Sequence, residues 1–193
     1  MRAFSLLRGV RAGLAWRANS PWRFAAGAGL SRELAFRAGV AQLQRRDLSL
    51  DLILLPEQLP EVVELARAFP QTQFILDHLA TLELGSPETR QIWRAGITAL
   101  ASFSNVSIKL SGLWTISRPW HIDALRDPIR HVVGSFGPQR CMWGSNLPIE
   151  KLMCDAATQI ATLRTILGDY PAAEQAEIFA NTARRIYRIA GDS

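Results

Sequence analysis

Phe136-Gly137-Pro138-Gln139-Arg140-Cys141-Met142-Trp143-Gly144-Ser145-Asn146-Leu147-Pro148 is the stretch from which the fold can be read. A Gly-Pro turn leads into a short apolar run, Cys141-Met142-Trp143, which stops at a small and polar segment ending in proline. That pattern marks a buried strand that ends abruptly with a polar side chain at its C-terminal tip. It recurs at Phe74-Ile75-Leu76-Asp77-His78 and at Val106-Ser107-Ile108-Lys109-Leu110-Ser111-Gly112. In sheets and barrels of parallel strands, chemistry collects at that end of the strands. Apolar runs with polar tips, separated by helical segments, make a repeated strand-then-helix unit.

Outward from these runs, residues 6–16 read as a strand, followed by a polar and aromatic loop to Leu30. Ser31 is the expected N-cap of a helix over 32–46, with Glu33 in its first turn. A strand over 48–55 ends at Pro56, and Pro60 opens a helix that Pro70 stops. The strand 72–78 comes next. Ser86-Pro87-Glu88 then opens a helix to about residue 103. Strand 106–110 precedes a loop over 111–118 and a helix over 121–135. After the strand at 141–143, helices over 149–167 and 171–189 close the chain.

Strands alternating with helices, through connections long enough for right-handed crossovers, predict an α/β fold with five parallel strands. No G-x-G-x-x-G or G-x-x-x-x-G-K-[ST] follows any strand, so an open doubly wound sheet lacks its nucleotide signature. Polar residues gathered at the strand ends favour a barrel, or most of one.

A chain of 193 residues, 48% apolar and 20% charged, is an ordinary globular domain rather than a disordered one. No run of ~18 apolar residues exists, so no membrane span is expected. Two cysteines do not make a disulfide framework, which points to the cytoplasm. The net charge of +5 comes from arginines spread among Asp and Glu within helices. Solvated helix faces explain it better than a nucleic-acid surface, since no basic block accompanies it. The first 32 residues hold several Arg and no Asp or Glu, a superficial likeness to an organelle presequence. A strand and loop are the preferred reading there.

The candidate site residues stand at the strand tips. Strand alternation would put Phe74, Leu76 and His78 on one face and Ile75 and Asp77 on the other. His78 suits a metal, a substrate carbonyl or a plain strand-end hydrogen bond. Lys109 and Ser111 share a face by the same alternation. A lysine inside an apolar strand is uncommon unless its charge is used or paired, the alternative being a surface lysine on an edge strand. Asn146 can orient a substrate or water but does not titrate, or it can cap a helix starting near Ile149. His121 and His131 fall on different helix faces and read as surface residues. No H-x-H, H-E-x-x-H, C-x-x-C or G-x-S-x-G occurs, so no metal ligands are assigned and no cofactor is expected.

Together these strand ends resemble the amidohydrolase-2 family, TIM-barrel hydrolases that include fuconolactonase-like and pyrone-dicarboxylate-lactonase-like enzymes. The matching segments are Gly9-Val10-Arg11, Asp77-His78-Leu79-Ala80, Lys109-Leu110-Ser111-Gly112-Leu113 and Gly144-Ser145-Asn146-Leu147-Pro148. Phe179-Ala180-Asn181-Thr182 and Arg185-Ile186-Tyr187 match the family's last helix. The resemblance implies that residues 1–193 are one amidohydrolase-related domain, a partial (β/α)8 barrel holding the last five strands. The first three strands, and the H-x-H motif of the first, have no counterpart here.

The resemblance further implies hydrolysis of a lactone or related small carbonyl compound. His78 would polarise the carbonyl, Arg11 would grip a substrate carboxylate as a two-pronged donor, and Lys109 and Ser111 would bind substrate. The family's final-strand Asp, which acts on the attacking water, is Asn146 in this chain, and Arg17 stands where related sequences tend to have His. General-base catalysis is worth ~10²- to 10⁴-fold, so a non-catalytic, anion-binding module on the same scaffold is the alternative. Full-length relatives leave room for a divalent metal.

Five strands of eight would leave two open sheet edges, with inward-facing apolar side chains meeting water. Each large one forfeits about 1.5–3 kcal/mol of burial. Three outcomes are expected of such a sheet: a second copy or a partner covering the edges, a truncated product that folds poorly, or a true start upstream of Met1. The last two are preferred, because Met1 falls just before a mid-barrel strand.

Overall fold

The computed structural model describes residues 6–20, 23–116 and 121–189. Five strands form one sheet: β1 (Gly9–Gly13), β2 (Ser49–Ile53), β3 (Phe74–Leu76), β4 (Val106–Leu110) and β5 (Cys141–Trp143). All neighbours pair in parallel, and the order across the sheet is the order along the chain. A doubly wound sheet reverses its strand order part-way. A barrel does not, and this sheet is a partial one.

The helices are α1 (Leu34–Arg45), α2 (Leu59–Ala68), α3 (Pro87–Ala101), α4 (Ile122–Phe136), α5 (Ala156–Ile166), α6 (Ala172–Ala176) and α7 (Thr182–Tyr187). Local chemistry fixes several starts. Ser86 Oγ accepts from Thr89 N at 3.2 Å, with Pro87 in the first turn of α3. The His121 ring accepts from Ala124 N at 3.2 Å, and Asp155 Oδ1 from Thr158 N at 2.7 Å.

The period of two sorts each strand between two faces. Leu50, Leu52, Phe74, Leu76, Val106, Ile108 and Leu110 point outward and pack on Leu59, Val62 and Leu65 of α2, Trp93 and Ile97 of α3, and Ile129 and Val132 of α4. Each is essentially inaccessible to water. Large apolar side chains buried this fully contribute roughly 1.5–3 kcal/mol apiece, so this layer supplies most of the stability.

The opposite, inner face differs from the apolar lining expected of an opened barrel. Its middle level carries Arg11, Asp51, Ile75 and Ser107 in register, and Lys109 stands one level up beside Met142. The C-terminal segment crosses this face. Thr182 Oγ1 donates to Pro138 O at 3.2 Å, and Arg185 Nη2 donates to Gln139 O, both just before β5. At the far end Tyr187 OH donates to Asp51 Oδ2 at 2.8 Å, and Arg188 Nη1 pairs with Asp47 Oδ2 at 3.0 Å. Ile75 and Met142 are thereby buried.

Several expected boundaries move. Ser31 does not cap a helix. It lies buried in a 3-10 turn, Leu30–Arg32, and donates its hydroxyl to Glu61 Oε2 at 2.5 Å, while Glu33 occupies the N-cap. The expected helix 149–167 divides into a 3-10 turn, Ile149–Leu152, and α5, because Asp155 starts the second segment as its own cap. The last helix is interrupted by a π-helical turn, Glu177–Asn181. Strands β1, β2 and β3 keep only the paired cores of the expected spans, while β4 and β5 have the expected limits. Residues 117 and 118 of the expected loop, and residues 1–5, 21 and 22 of the presequence-like stretch, lie outside the described residues. Among the described residues no helix is long and apolar enough to cross a membrane.

Candidate active site

The chain leaves β3 at Leu76 and enters a left-handed turn, with φ of 53°, 50°, 51° and 53° at His78, Leu79, Ala80 and Thr81. Non-glycine residues in this region cost ~1–2 kcal/mol each, so the surroundings must impose it. Trp93 Nε1, from α3, donates to Leu79 O at 2.6 Å, and Ala80 N donates to Asp77 O at 2.9 Å. All four turn residues are buried. The turn ends the strand alternation, so His78 does not share the face of Phe74 and Leu76. Instead His78 Nδ1 lies 2.9 Å from Ser111 Oγ, at the tip of β4. Gly112 makes that approach feasible: a Cβ there would sit 2.7 Å from His78 Cβ, on a backbone with φ of +69°.

Below the turn sits a chain of buried ions. Asp77, wholly inaccessible, has Arg11 Nε and Lys109 Nζ each 2.8 Å from its two oxygens, as ion pairs rather than well-aligned hydrogen bonds. Lys109 Nζ also reaches Asp51 Oδ2 at 2.5 Å and lies 5.4 Å from the Tyr187 ring centroid. Burial works against the Lys109 ammonium, but Asp77 and Asp51 outweigh it and raise its pKa. Burial likewise pushes the Tyr187 phenol up. Lys109 is therefore a fixed charge, spent on two carboxylates.

At the tip of β5, Asn146 adopts a left-handed conformation with φ of 50°. It caps no helix. Its Nδ2 donates to Glu150 Oε2 at 2.9 Å. Glu150 is wholly buried and also accepts from Trp114 N at 2.6 Å, Thr115 N at 3.1 Å and Thr115 Oγ1 at 2.6 Å.

These tips surround a cavity of about 330 Å³, within the range of small-molecule sites. Arg11, His78, Thr81, Thr115 and Asn146 form its polar wall, and Phe24, Ile53, Leu55, Ile116 and Ile149 most of its apolar one. Arg11 keeps half its side chain exposed although its Nε is held by Asp77. The Thr81 hydroxyl is buried with no hydrogen-bond partner among the described residues. Burial, helped by the charges of Arg11 and Lys109, holds the His78 imidazole below its ordinary pKa, so it is neutral at neutral pH. Of the expected site residues, the fold brings Arg11, His78 and Asn146 to one cavity and sets Ser111 behind His78. Lys109 stays outside the cavity wall.

An amidohydrolase family model matches residues 3–189. The chain belongs to the amidohydrolase-2 family. It is 38% identical over 108 residues to an L-fucono-1,5-lactonase of Burkholderia ambifaria, covering 55% of this chain and 37% of that one. It is 32% identical over 167 residues to an L-fucono-1,5-lactonase of Burkholderia multivorans, covering 80% of this chain and 56% of that one. The solved structure of an amidohydrolase from Burkholderia multivorans superposes with a TM-score of 0.83 at 27% identity, covering 95% of this chain and 66% of that one. The chain thus spans less than two thirds of the length of these relatives.

Within this amidohydrolase-2 sheet, the described residues do not suit a divalent metal, since no three His, Cys, Asp or Glu side chains converge. His121 caps α4, and His131 lies 5.9 Å from the Trp93 ring, both away from the cavity. Arg17 is held by Glu57 at 2.5 Å and Glu83 at 2.9 Å, so its charge is already engaged. Four contributors escaped the sequence reading: Asp51, Thr81, Glu150 and Tyr187. Asp51 carried a signal, a lone charge in the apolar run Leu48–Leu55 and the natural complement of Lys109. Tyr187 stood in the matching segment Arg185-Ile186-Tyr187 without a site role, and nothing local marks Thr81 or Glu150; their roles come from the C-terminal crossing, the left-handed turn and the 3-10 turn after β5.

Proposed function

We propose that this chain forms the carbonyl-attacking part of a lactonase site and opens a small, carboxylate-bearing lactone by adding water. The observation that carries the reading is the neutral imidazole of His78, held by Ser111 at a cavity that also presents Arg11 and Asn146. The exposed edge of the Arg11 guanidinium takes the substrate carboxylate. An amide does not accept a proton, so Asn146 orients the attacking water and His78 acts on it as general base. With Nδ1–H directed at Ser111 Oγ, the Nε2 lone pair is left for the water proton. The new C–O bond forms, the ring C–O bond breaks, and the imidazolium returns its proton to the leaving ring oxygen. The likeness to the fuconolactonases supports a lactone substrate. Two free, buried thiols suit a reducing cytoplasm.

Acid release from a panel of small lactones, followed at constant pH, tests the assignment. His78→Gln should cost on the order of 10²- to 10⁴-fold in kcat, and Arg11→Met should raise KM for carboxylated lactones alone. No release above the buffer rate across the panel would overturn it. Asn146, in place of a carboxylate, favours a second reading, an anion-binding module without turnover. Calorimetry would then find the lactone and its ring-opened acid binding without conversion, through Arg11.

A further inference from the structure

We propose that Glu150 is a positioning residue that decides which face of the Asn146 amide meets the cavity. Its two oxygens have distinct tasks. Oε1 accepts from two backbone donors, Trp114 N and Thr115 N, while Oε2 accepts from Thr115 Oγ1 and Asn146 Nδ2. Every contact of this carboxylate is made as an acceptor, and an acceptor takes only the NH2 end of the neighbouring amide. That leaves the carbonyl end, Oδ1, on a residue that lines the cavity, without a hydrogen-bond partner among the described residues, and we take it as the end that meets the cavity. Position 146 is thereby an acceptor for a donor group: a water, or a ligand hydroxyl. The inference rests on the lactonase reading only for its effect on turnover.

The same geometry explains how an amide and a carboxylate share this corner. An Asp at position 146 would stand about one hydrogen-bond length from a buried carboxylate that has no cation against it among the described residues. Two such groups do not both ionise readily, and one retains its proton toward neutral pH. Restoring a carboxylate at 146 therefore requires removing the one at 150.

Glu150→Gln is the sharpest test because it preserves volume. The backbone N–H groups of Trp114 and Thr115 can only donate, so they keep the Gln carbonyl, and the Gln NH2 takes the place of Oε2. It then donates to Asn146, whose amide must rotate and turn its NH2 to the cavity. The expected result is a folded protein with displaced Asn146 side-chain amide resonances. In any lactone turnover, kcat falls on the order of 10²-fold with KM less affected, as for a misoriented reacting group. Asn146→Asp should lower the unfolding temperature at pH 7 and recover it on acidification. Asn146→Asp combined with Glu150→Gln should show no such acid recovery. Unchanged Asn146 amide resonances in Glu150→Gln, or the same pH dependence in the single and double variants, would overturn the proposal. Those two readouts need no turnover, so absence of lactonase activity would overturn the hydrolase assignment and leave this one standing.

Discussion

His78 sits where a proton is unwelcome, and this sets a pH dependence for both activity and stability. Its folded-state pKa lies below the ordinary 6.5, chiefly through burial. Between those two values the unfolded chain binds more protons than the folded one, so stability falls as pH drops from about 6.5 toward the folded value. His131 shifts in the same direction and adds to the loss. His78→Gln should flatten this acid limb in thermal unfolding between neutral and mildly acidic pH, and His131→Gln should do so in part. Activity should be lost at lower pH, as the pH falls through the folded-state value and the base protonates. Lys109 makes a second test. Lys109→Met leaves Asp51 and Asp77 short of their shared cation and should cost roughly 3–5 kcal/mol in denaturant titrations. Part of this scale was legible: an isolated Lys in an apolar strand pointed either to a used or paired charge or to a surface lysine on an edge strand, and Asn146 and His78 were marked by their places at strand tips. Their partners were not: Asp51, Lys109 and Tyr187 meet across sequence separations that only the folded sheet closes, and Glu150 is brought to Asn146, four residues away, by the 3-10 turn after β5.

The turn over 78–81 is the element on which the site depends, and it stores strain that its neighbours must contain. Gly112→Ala tests this. The added methyl would meet His78 Cβ at 2.7 Å and Ile116 Cδ1 at 2.9 Å, on a backbone that disfavours side chains. A loss of about 1–3 kcal/mol in stability is expected from overpacking, with a larger proportional loss of lactone turnover as His78 is pushed from Ser111. Thermal unfolding and steady-state kinetics on one preparation would separate the two. Elements with strong local punctuation were read closely from sequence. Strand β4 has the expected limits, and α3 begins where Ser86-Pro87-Glu88 said it would. Where a side chain had a better tertiary partner, local signals misled: Ser31 gave its hydroxyl to Glu61, and Asp155 took over the capping of a helix expected to start at Ile149. A left-handed turn of four non-glycine residues has no local signature at all.

For the molecule as a whole, the sequential sheet leaves β1 and β5 as edges. Near β1, Leu6, Leu7 and Val10 are exposed, and beyond β5 so are Leu147, Ile149, Leu152 and Met153. Exposed apolar side chains beside unpaired strand edges invite pairing with another chain. We expect the purified protein to associate through these edges, seen as a rise in sedimentation coefficient with concentration, and Val10→Lys to weaken it. A monomer at every concentration would mean that the C-terminal crossing alone closes the sheet. The sequential α/β order was readable because each strand tip repeats one pattern. The polar inner face was not, since it depends on a helix from the far end of the chain.

The alternating signs along that inner face bear on how the sheet assembles. Sliding β4 by one residue against β3 would turn Lys109 into the leucine-rich outer layer and leave Asp51 and Asp77 without it. A slip of β1 would do the same to Arg11. The apolar runs alone, so alike from strand to strand, would tolerate such errors. The interior ions act as a key cut for one alignment, and mispaired sheets are rejected on charge before side-chain shape can discriminate.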